Sequence, residues 1–364
     1  MSEHPTPRPG ILDIAPYIGG ESKVEGVARV IRLASNESAL GPSPRAVEAY
    51  RAQAQEIYRY PDGGSVALRQ AIARRHGLDA ARIICGTGSD ELINLLARAY
   101  AGSGDEVVYS RHGFLMYPIA AQSAGAKPVA VPETRLTADV DALLSRVGPR
   151  TRLVYLANPN NPTGTFLPRD EVRRLHAGLP RSTILVIDAA YAEFVTRNDY
   201  EPGVELVESA ENVIMLRTFS KIYALAGLRL GWGYGSTAII DVLNRVRGVF
   251  NVNLPAQAAA VAALEDVAAV DRAREHNDIW RPWLERELGA LGLEVTPAVA
   301  NFVLVRFRAA PKDSNGAWSF LQQRGILTRK MGAYGLPEHI RITIGLEEEM
   351  RAVVAAVADF LRAP

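Results

Sequence analysis

Short runs of Val, Ile and Leu recur through most of the chain, at 82–86, 106–110, 127–131, 152–158, 184–188, 213–218 and 228–233. Helical patterns lie between most of them, at 90–101, 117–124, 140–145 and 169–179. A strand that is apolar along its whole length is buried on both faces, and strands separated by helices pair in parallel. The pattern therefore predicts an α/β fold with a large, mostly parallel seven-stranded sheet flanked by helices. No repeat of fixed period runs through the sequence, which argues against a solenoid.

Beyond residue 256 the pattern changes. An Ala-rich helical stretch runs to about residue 291 and contains Pro282, which should kink or interrupt it. Two strands follow, at 301–307 and 339–345, with helices at 314–324 and 347–361. That order suits a smaller α+β domain. The expected organisation is an N-terminal arm over 1–35, a large domain over 36–265 and a small domain over 266–364.

Composition narrows the function classes. With 41 Lys and Arg against 40 Asp and Glu, the net charge is +1, too balanced to hold nucleic acid or an anionic membrane through a global field. Cys85 is the only cysteine, so an internal disulfide framework and a Cys-rich zinc module are both excluded. It lies in an apolar run, as a small buried residue would. The six histidines never pair at i, i+4, and no metal site is expected. The polar, Pro-rich first residues carry no apolar signal core, and no run approaches a membrane span. The expectation is a soluble, cytoplasmic protein.

In open α/β sheets ligands bind at the carboxyl ends of strands, and four such ends carry chemistry here. Gly86-Thr-Gly-Ser-Asp90 leads from a strand into a helix, whose first amides could bind an anion or could equally be a plain N-cap. Asn158-Pro-Asn-Asn-Pro-Thr-Gly164 closes another strand as a tight turn, structural or aimed at a ligand. Thr183-Ile-Leu-Val-Ile-Asp188 ends an apolar strand in a carboxylate that needs a partner: a buried arginine, a helix N-terminus or a protonated ring nitrogen. Arg217-Thr-Phe-Ser-Lys221 sets a lysine beyond a strand, with Arg229 eight residues on offering a fork suited to phosphate. Nearby positive charge would depress the lysine pKa, as Schiff-base chemistry requires.

In their order and spacing these motifs resemble the pyridoxal-phosphate enzymes of the aspartate-aminotransferase fold (fold type I), and among them the histidinol-phosphate aminotransferase family. The resemblance runs from Ile14-Ala-Pro-Tyr17 to the last helix. It also includes Ser35-Asn-Glu-Ser38, Arg59-Tyr-Pro-Asp62, Asp188-Ala-Ala-Tyr191, Asn301-Phe-Val-Leu-Val-Arg-Phe307 and Arg341-Ile-Thr-Ile-Gly345.

The resemblance implies pyridoxal 5′-phosphate as cofactor, with Lys221 holding it as a Schiff base and later moving a proton. Asp188 would pair with the pyridinium nitrogen. Tyr191 and Asn161 would bond the ring's phenolic oxygen, and Phe114 would stack on its face. Ser89, Asp90, Thr218, Ser220 and Arg229 would hold the phosphate, with Tyr60 reaching it from the neighbouring subunit of a homodimer. Arg341 would grip the carboxylate of glutamate or 2-oxoglutarate, Arg329 would help with the substrate phosphate, and Tyr17 and Asn36 would line the substrate pocket. Arg341 lies in an alternating strand, on the same face as Thr343.

Two positions depart from the family pattern. Asp188-Ala-Ala-Tyr191 stands where many relatives have Asp-Glu-Ala-Tyr, and Phe114 stands where a tyrosine is common, so a hydroxyl is lost at that site. The implied reaction is amino transfer between L-histidinol phosphate and 2-oxoglutarate in histidine biosynthesis. Three alternatives are an aromatic or dual-specificity aminotransferase, a decarboxylase of a phosphorylated amino acid, and a non-catalytic cofactor sensor. The partners are then small molecules and a second copy of the chain, with no nucleic acid and no membrane.

Overall fold

A computed structural model of the chain describes residues 5–21 and 29–363. Residues 1–4 and 22–28 of the expected arm, and Pro364, lie outside the described residues. The apolar runs assemble into a seven-stranded sheet. Its order across the sheet is Ile83–Gly86, Gly231–Gly235, Val213–Thr218, Ile184–Asp188, Thr151–Ala157, Glu106–Ser110, Lys127–Val131. All neighbouring pairs are parallel except the two made by Gly231–Gly235, which runs antiparallel to both its neighbours. Side chains alternate between the two faces, and each face has its own core. Val154, Leu185, Ile187 and Met215 pack on one side, and Leu153, Val186, Ile214 and Leu216 on the other. This layering explains why the strands read as unbroken apolar runs.

A second sheet of four antiparallel strands has the order Arg329–Lys330, His339–Thr343, Phe302–Arg306, Glu294–Thr296. Its core is separate, built on Val303, Val305, Ile340 and Ile342 against Leu284, Leu321 and Val357. The two-residue strand Ile31–Arg32 pairs in parallel with Ile326–Leu327, tying the start of the chain to this second layer. Among the described residues no helix is long and apolar enough to cross a membrane.

Two local expectations need correction. The long helical stretch is not interrupted at Pro282: the helix Val267–Ala290 continues through it. Trp280, Leu284 and Leu288 are buried on its inner face, and that packing outweighs the one missing backbone donor. The break falls instead at Asp266, whose carboxylate accepts from the Ala269 amide and from Ser43 Oγ, starting a new helix after Leu254–Glu265. The last strand of the large sheet begins at Gly231 rather than 228, because a short 3₁₀ turn, Ala226–Leu228, occupies the preceding residues. Arg229 follows that turn with φ 52°, a left-handed conformation that no strand contains.

Candidate active site

The carboxyl ends of the large sheet open into a cavity of about 290 Å³. Every site residue expected from the sequence except Tyr60 lines it. The arm contributes Tyr17, the large sheet contributes the acid, the lysine and the anion-binding loops, and the small sheet contributes two arginines.

At the floor, Asp188 ends the central strand with only 6% of its surface exposed. Its Oδ2 accepts a hydrogen bond from Tyr117 Oη at 2.8 Å, and its Oδ1 accepts a long one from the Ala190 amide at 3.3 Å. Burial pushes the carboxyl up to about 6, against the opposing pull of the Tyr117 hydroxyl. Lys221 lies beyond the end of the adjacent strand, and its Nζ donates to the Ser35 carbonyl at 3.1 Å. Desolvation, with the Arg341 charge second, pulls this ammonium down to about 8. A lysine so placed is partly neutral near physiological pH and can act as a nucleophile and a base.

One wall is built to hold an anion. The twelve-residue helix Ser89–Tyr100 points its N-terminus into the cavity, with Gly88 at φ 80° in front of it. A Cβ on Gly88 would sit 2.6 Å from Arg229 Nη2, and one on Gly231 would sit 2.3 Å from the Ser89 amide nitrogen. The two glycines therefore let the guanidinium and the helix start close on one spot. Arg229 also donates to Ser220 Oγ at 3.4 Å and to Asp90 Oδ2 at 3.3 Å, while Thr218 Oγ1 accepts from the Ser220 amide at 3.1 Å. Two hydroxyls, a guanidinium and free helix amides are the donor set a phosphate monoester requires.

The opposite wall comes from the small sheet. Arg329 and Arg341 are direct partners across neighbouring antiparallel strands. Like charges in that position repel, so the arrangement is favourable once an anion lies between or beside them. Arg341 is 4% exposed, and its Nε has no hydrogen-bond partner among the described residues. Its other nitrogens donate to the Ala34 carbonyl at 2.8 Å and to Asn161 Oδ1. Arg329 sits nearer the mouth, donating to the Ile18 carbonyl at 2.7 Å with its guanidinium over the Tyr17 ring.

Asn36 links the layers. Buried and at φ 55°, it donates from Nδ2 to Tyr191 Oη at 2.8 Å, and its amide donates to Thr343 Oγ1 at 3.0 Å. Burial raises the Tyr191 hydroxyl to about 12, so it remains a phenol able to donate to a neighbouring oxygen. Phe114 and Tyr17 meet edge to face, 6.3 Å between centroids, and make an aromatic side to the cavity.

Tyr60 lies away from this cavity, 81% exposed and stacked on Phe250 at 4.6 Å. Three positions in or beside the cavity escaped the sequence reading. The Ser35 carbonyl that receives Lys221 is a backbone atom and leaves no residue signature. Glu37 lines the cavity from within the Ser35–Ser38 motif, and Tyr117 holds Asp188 from a helix start. For Tyr117 the available signal was its place three residues after Phe114, within one helical turn.

Residues 28–357 match the family model for class I and II aminotransferases. The chain is 60% identical over 360 residues to the histidinol-phosphate aminotransferase of Paramagnetospirillum magneticum, covering 99% of both chains. It is 61% identical over 358 residues to that of Rhodospirillum centenum, covering 98% of this chain and 99% of the relative. Among solved structures, the histidinol-phosphate aminotransferase of Sinorhizobium meliloti in complex with pyridoxal-5′-phosphate superposes with a TM-score of 0.91 at 32% identity, covering 99% of each chain.

Proposed function

This chain belongs to the class I and II aminotransferases, and on that premise we propose that it transfers the amino group of L-histidinol phosphate to 2-oxoglutarate, giving imidazole acetol phosphate and L-glutamate, in histidine biosynthesis. The observation that carries this reading is the cross-strand pair Arg329 and Arg341, which faces the same cavity as Lys221 and Asp188. One substrate of this reaction carries a phosphate and the other two carboxylates. A paired-guanidinium wall, with the Arg341 Nε still open, is suited to both.

The cofactor is pyridoxal 5′-phosphate, and the donor set fits it. Ser89, Asp90, Thr218, Ser220 and Arg229 would hold its phosphate at the helix start. Phe114 would cover one face of the ring, and Tyr191 and Asn161 would bond its phenolic oxygen. The cofactor, when bound, supplies the electron sink that lets a carbon–hydrogen bond beside nitrogen break. The protein's own contributions are charge placement and proton movement. Asp188, as a carboxylate, would keep a proton on the ring nitrogen. Lys221 would anchor the cofactor covalently in the resting enzyme. Once freed, its Nζ would take the proton from the substrate carbon and return it two atoms along, on the other side of the nitrogen. Tyr17 and Phe114 would give the imidazole ring an aromatic side, while Arg341 would grip the α-carboxylate of glutamate or 2-oxoglutarate and, with Arg329 helping, the phosphate of L-histidinol phosphate.

The reading includes a homodimer in which Tyr60 reaches the phosphate of the neighbouring subunit. In support, Tyr60 and Phe250 stack on each other while exposed, and Ile57, Tyr58 and Val249, close to them in sequence, are exposed apolar side chains as well. The test of the reaction is an assay of purified, cofactor-loaded protein with L-histidinol phosphate and 2-oxoglutarate. Glutamate should form in step with imidazole acetol phosphate, and carbon dioxide release or absence of turnover would contradict the reading.

A further inference from the structure

The helix Met116–Ala124 begins just after Phe114 and places Tyr117 beneath the cavity floor. Tyr117 is 1% exposed and fixed on three sides. Its ring stacks flat on Tyr155, 4.7 Å between centroids and 4° between planes, and Tyr155 Oη is itself anchored to the Ile93 carbonyl at 2.8 Å. Phe114 meets the same ring edge to face at 6.0 Å and 90°. The hydroxyl then has one place to go, Asp188 Oδ2 at 2.8 Å. A buried phenol with this packing cannot turn away without losing both the stack and the hydrogen bond.

Resting on the proposed cofactor, we infer that Tyr117 is a positioning residue that sets Asp188 for the ring nitrogen and, through the same ring, sets Phe114 for the ring face. By occupying Oδ2, the hydroxyl leaves Oδ1, with only its long bond from the Ala190 amide, as the oxygen open to a ligand. By donating, it favours the ionised carboxylate in a place where burial disfavours it. The other titratable and charged groups around Asp188 are Asp90, Lys221, Tyr155, Tyr191 and Tyr200. Among these, Lys221 alone brings positive charge, and its Nζ donates to the Ser35 carbonyl rather than to Asp188. Tyr117 is thus the side chain that donates to Asp188, beside the long bond from the Ala190 amide.

The test is the variant Tyr117→Phe, which keeps the stacked ring and removes the hydroxyl. Apoprotein would be titrated with pyridoxal 5′-phosphate between pH 6.5 and 8.5, following absorbance and fluorescence. Loss of a hydrogen bond to a charged group predicts about tenfold weaker binding near pH 6.5. The gap should narrow toward pH 8.5, because the carboxyl of the variant titrates at higher pH. The pH at which the bound cofactor's absorption changes should shift as well. In an Asp188→Asn background, adding Tyr117→Phe should change affinity little, since the carboxylate it serves is gone. A folded variant with wild-type affinity and an unshifted spectrum overturns the inference, as does an undiminished effect in the Asp188→Asn background. Wild-type apoprotein that failed to bind the cofactor would instead overturn the proposed function.

Discussion

Arg341, on the small sheet, donates to the side-chain oxygen of Asn161, on the turn that closes a strand of the large sheet. On the proposed roles, the bond crosses from the substrate side of the cavity to the cofactor side. Asn36 makes a parallel link, joining Tyr191 of the large layer to Thr343 of the strand that carries Arg341. The two layers that line the cavity are therefore tied into one hydrogen-bonded frame, which would couple the proposed substrate grip to cofactor placement.

On the proposed mechanism, replacing Lys221 removes the covalent anchor and the base together. Lys221→Ala should lower kcat by about a thousandfold or more. Steady-state turnover of the purified, cofactor-supplemented variant checks this, and near wild-type turnover would remove Lys221 from the mechanism.

Capture of the cofactor by the apoprotein should depend on pH in two steps. Lys221 must be neutral to attack an aldehyde, and its pKa of about 8 makes capture slow as pH falls through that value. Asp188 must be ionised to hold the ring nitrogen, and with a carboxyl at about 6 a second loss follows at lower pH. Stopped-flow absorbance from pH 5 to 9 should show the rate falling monotonically toward acid.

The two arginines should separate by substrate. Arg329→Ala should raise KM for L-histidinol phosphate about tenfold and leave that for glutamate within a few-fold, because the role proposed for Arg329 is with the substrate phosphate. Arg341→Ala should raise both, by about ten- to a hundredfold, since its buried guanidinium serves either anion. Steady-state kinetics with each substrate varied in turn will distinguish them.

Gly231 has no room for a side chain, because its Cβ would lie 2.3 Å from the Ser89 amide nitrogen. Gly231→Ala should push the helix start away from Arg229. We expect about 1–3 kcal/mol lower stability in urea and weaker binding of pyridoxal 5′-phosphate. Unchanged affinity would show that the phosphate is held elsewhere.

Phe250 supports Tyr60 by stacking, and both belong to the proposed subunit contact. Phe250→Asp should shift the protein toward a 39.5 kDa monomer in light scattering and lower its cofactor affinity.

The parts of this fold legible in the sequence are those fixed by local pattern. Asp188 and Lys221 stood out because each follows a run of apolar residues, so polarity at the strand end had to have a purpose. The anion wall was legible because Gly88 and Ser89 mark a strand-to-helix turn. Contacts between distant segments were not legible. Nothing near Tyr117 announces Asp188, which lies 71 residues away, and nothing in Ile31–Arg32 announces its pairing with Ile326–Leu327. Pro282 does not end the helix, because its local cost is smaller than the burial of Trp280, Leu284 and Leu288 around it.

The central claim is amino transfer from L-histidinol phosphate, and a single-turnover experiment tests it most directly. Cofactor-loaded protein would be mixed with L-histidinol phosphate or with phenylalanine, and the change in cofactor absorbance followed. Fast conversion to the amine form with L-histidinol phosphate and slow conversion with phenylalanine is the predicted result. Equal rates would contradict specificity for the phosphorylated donor, and no conversion with either would contradict the assignment itself.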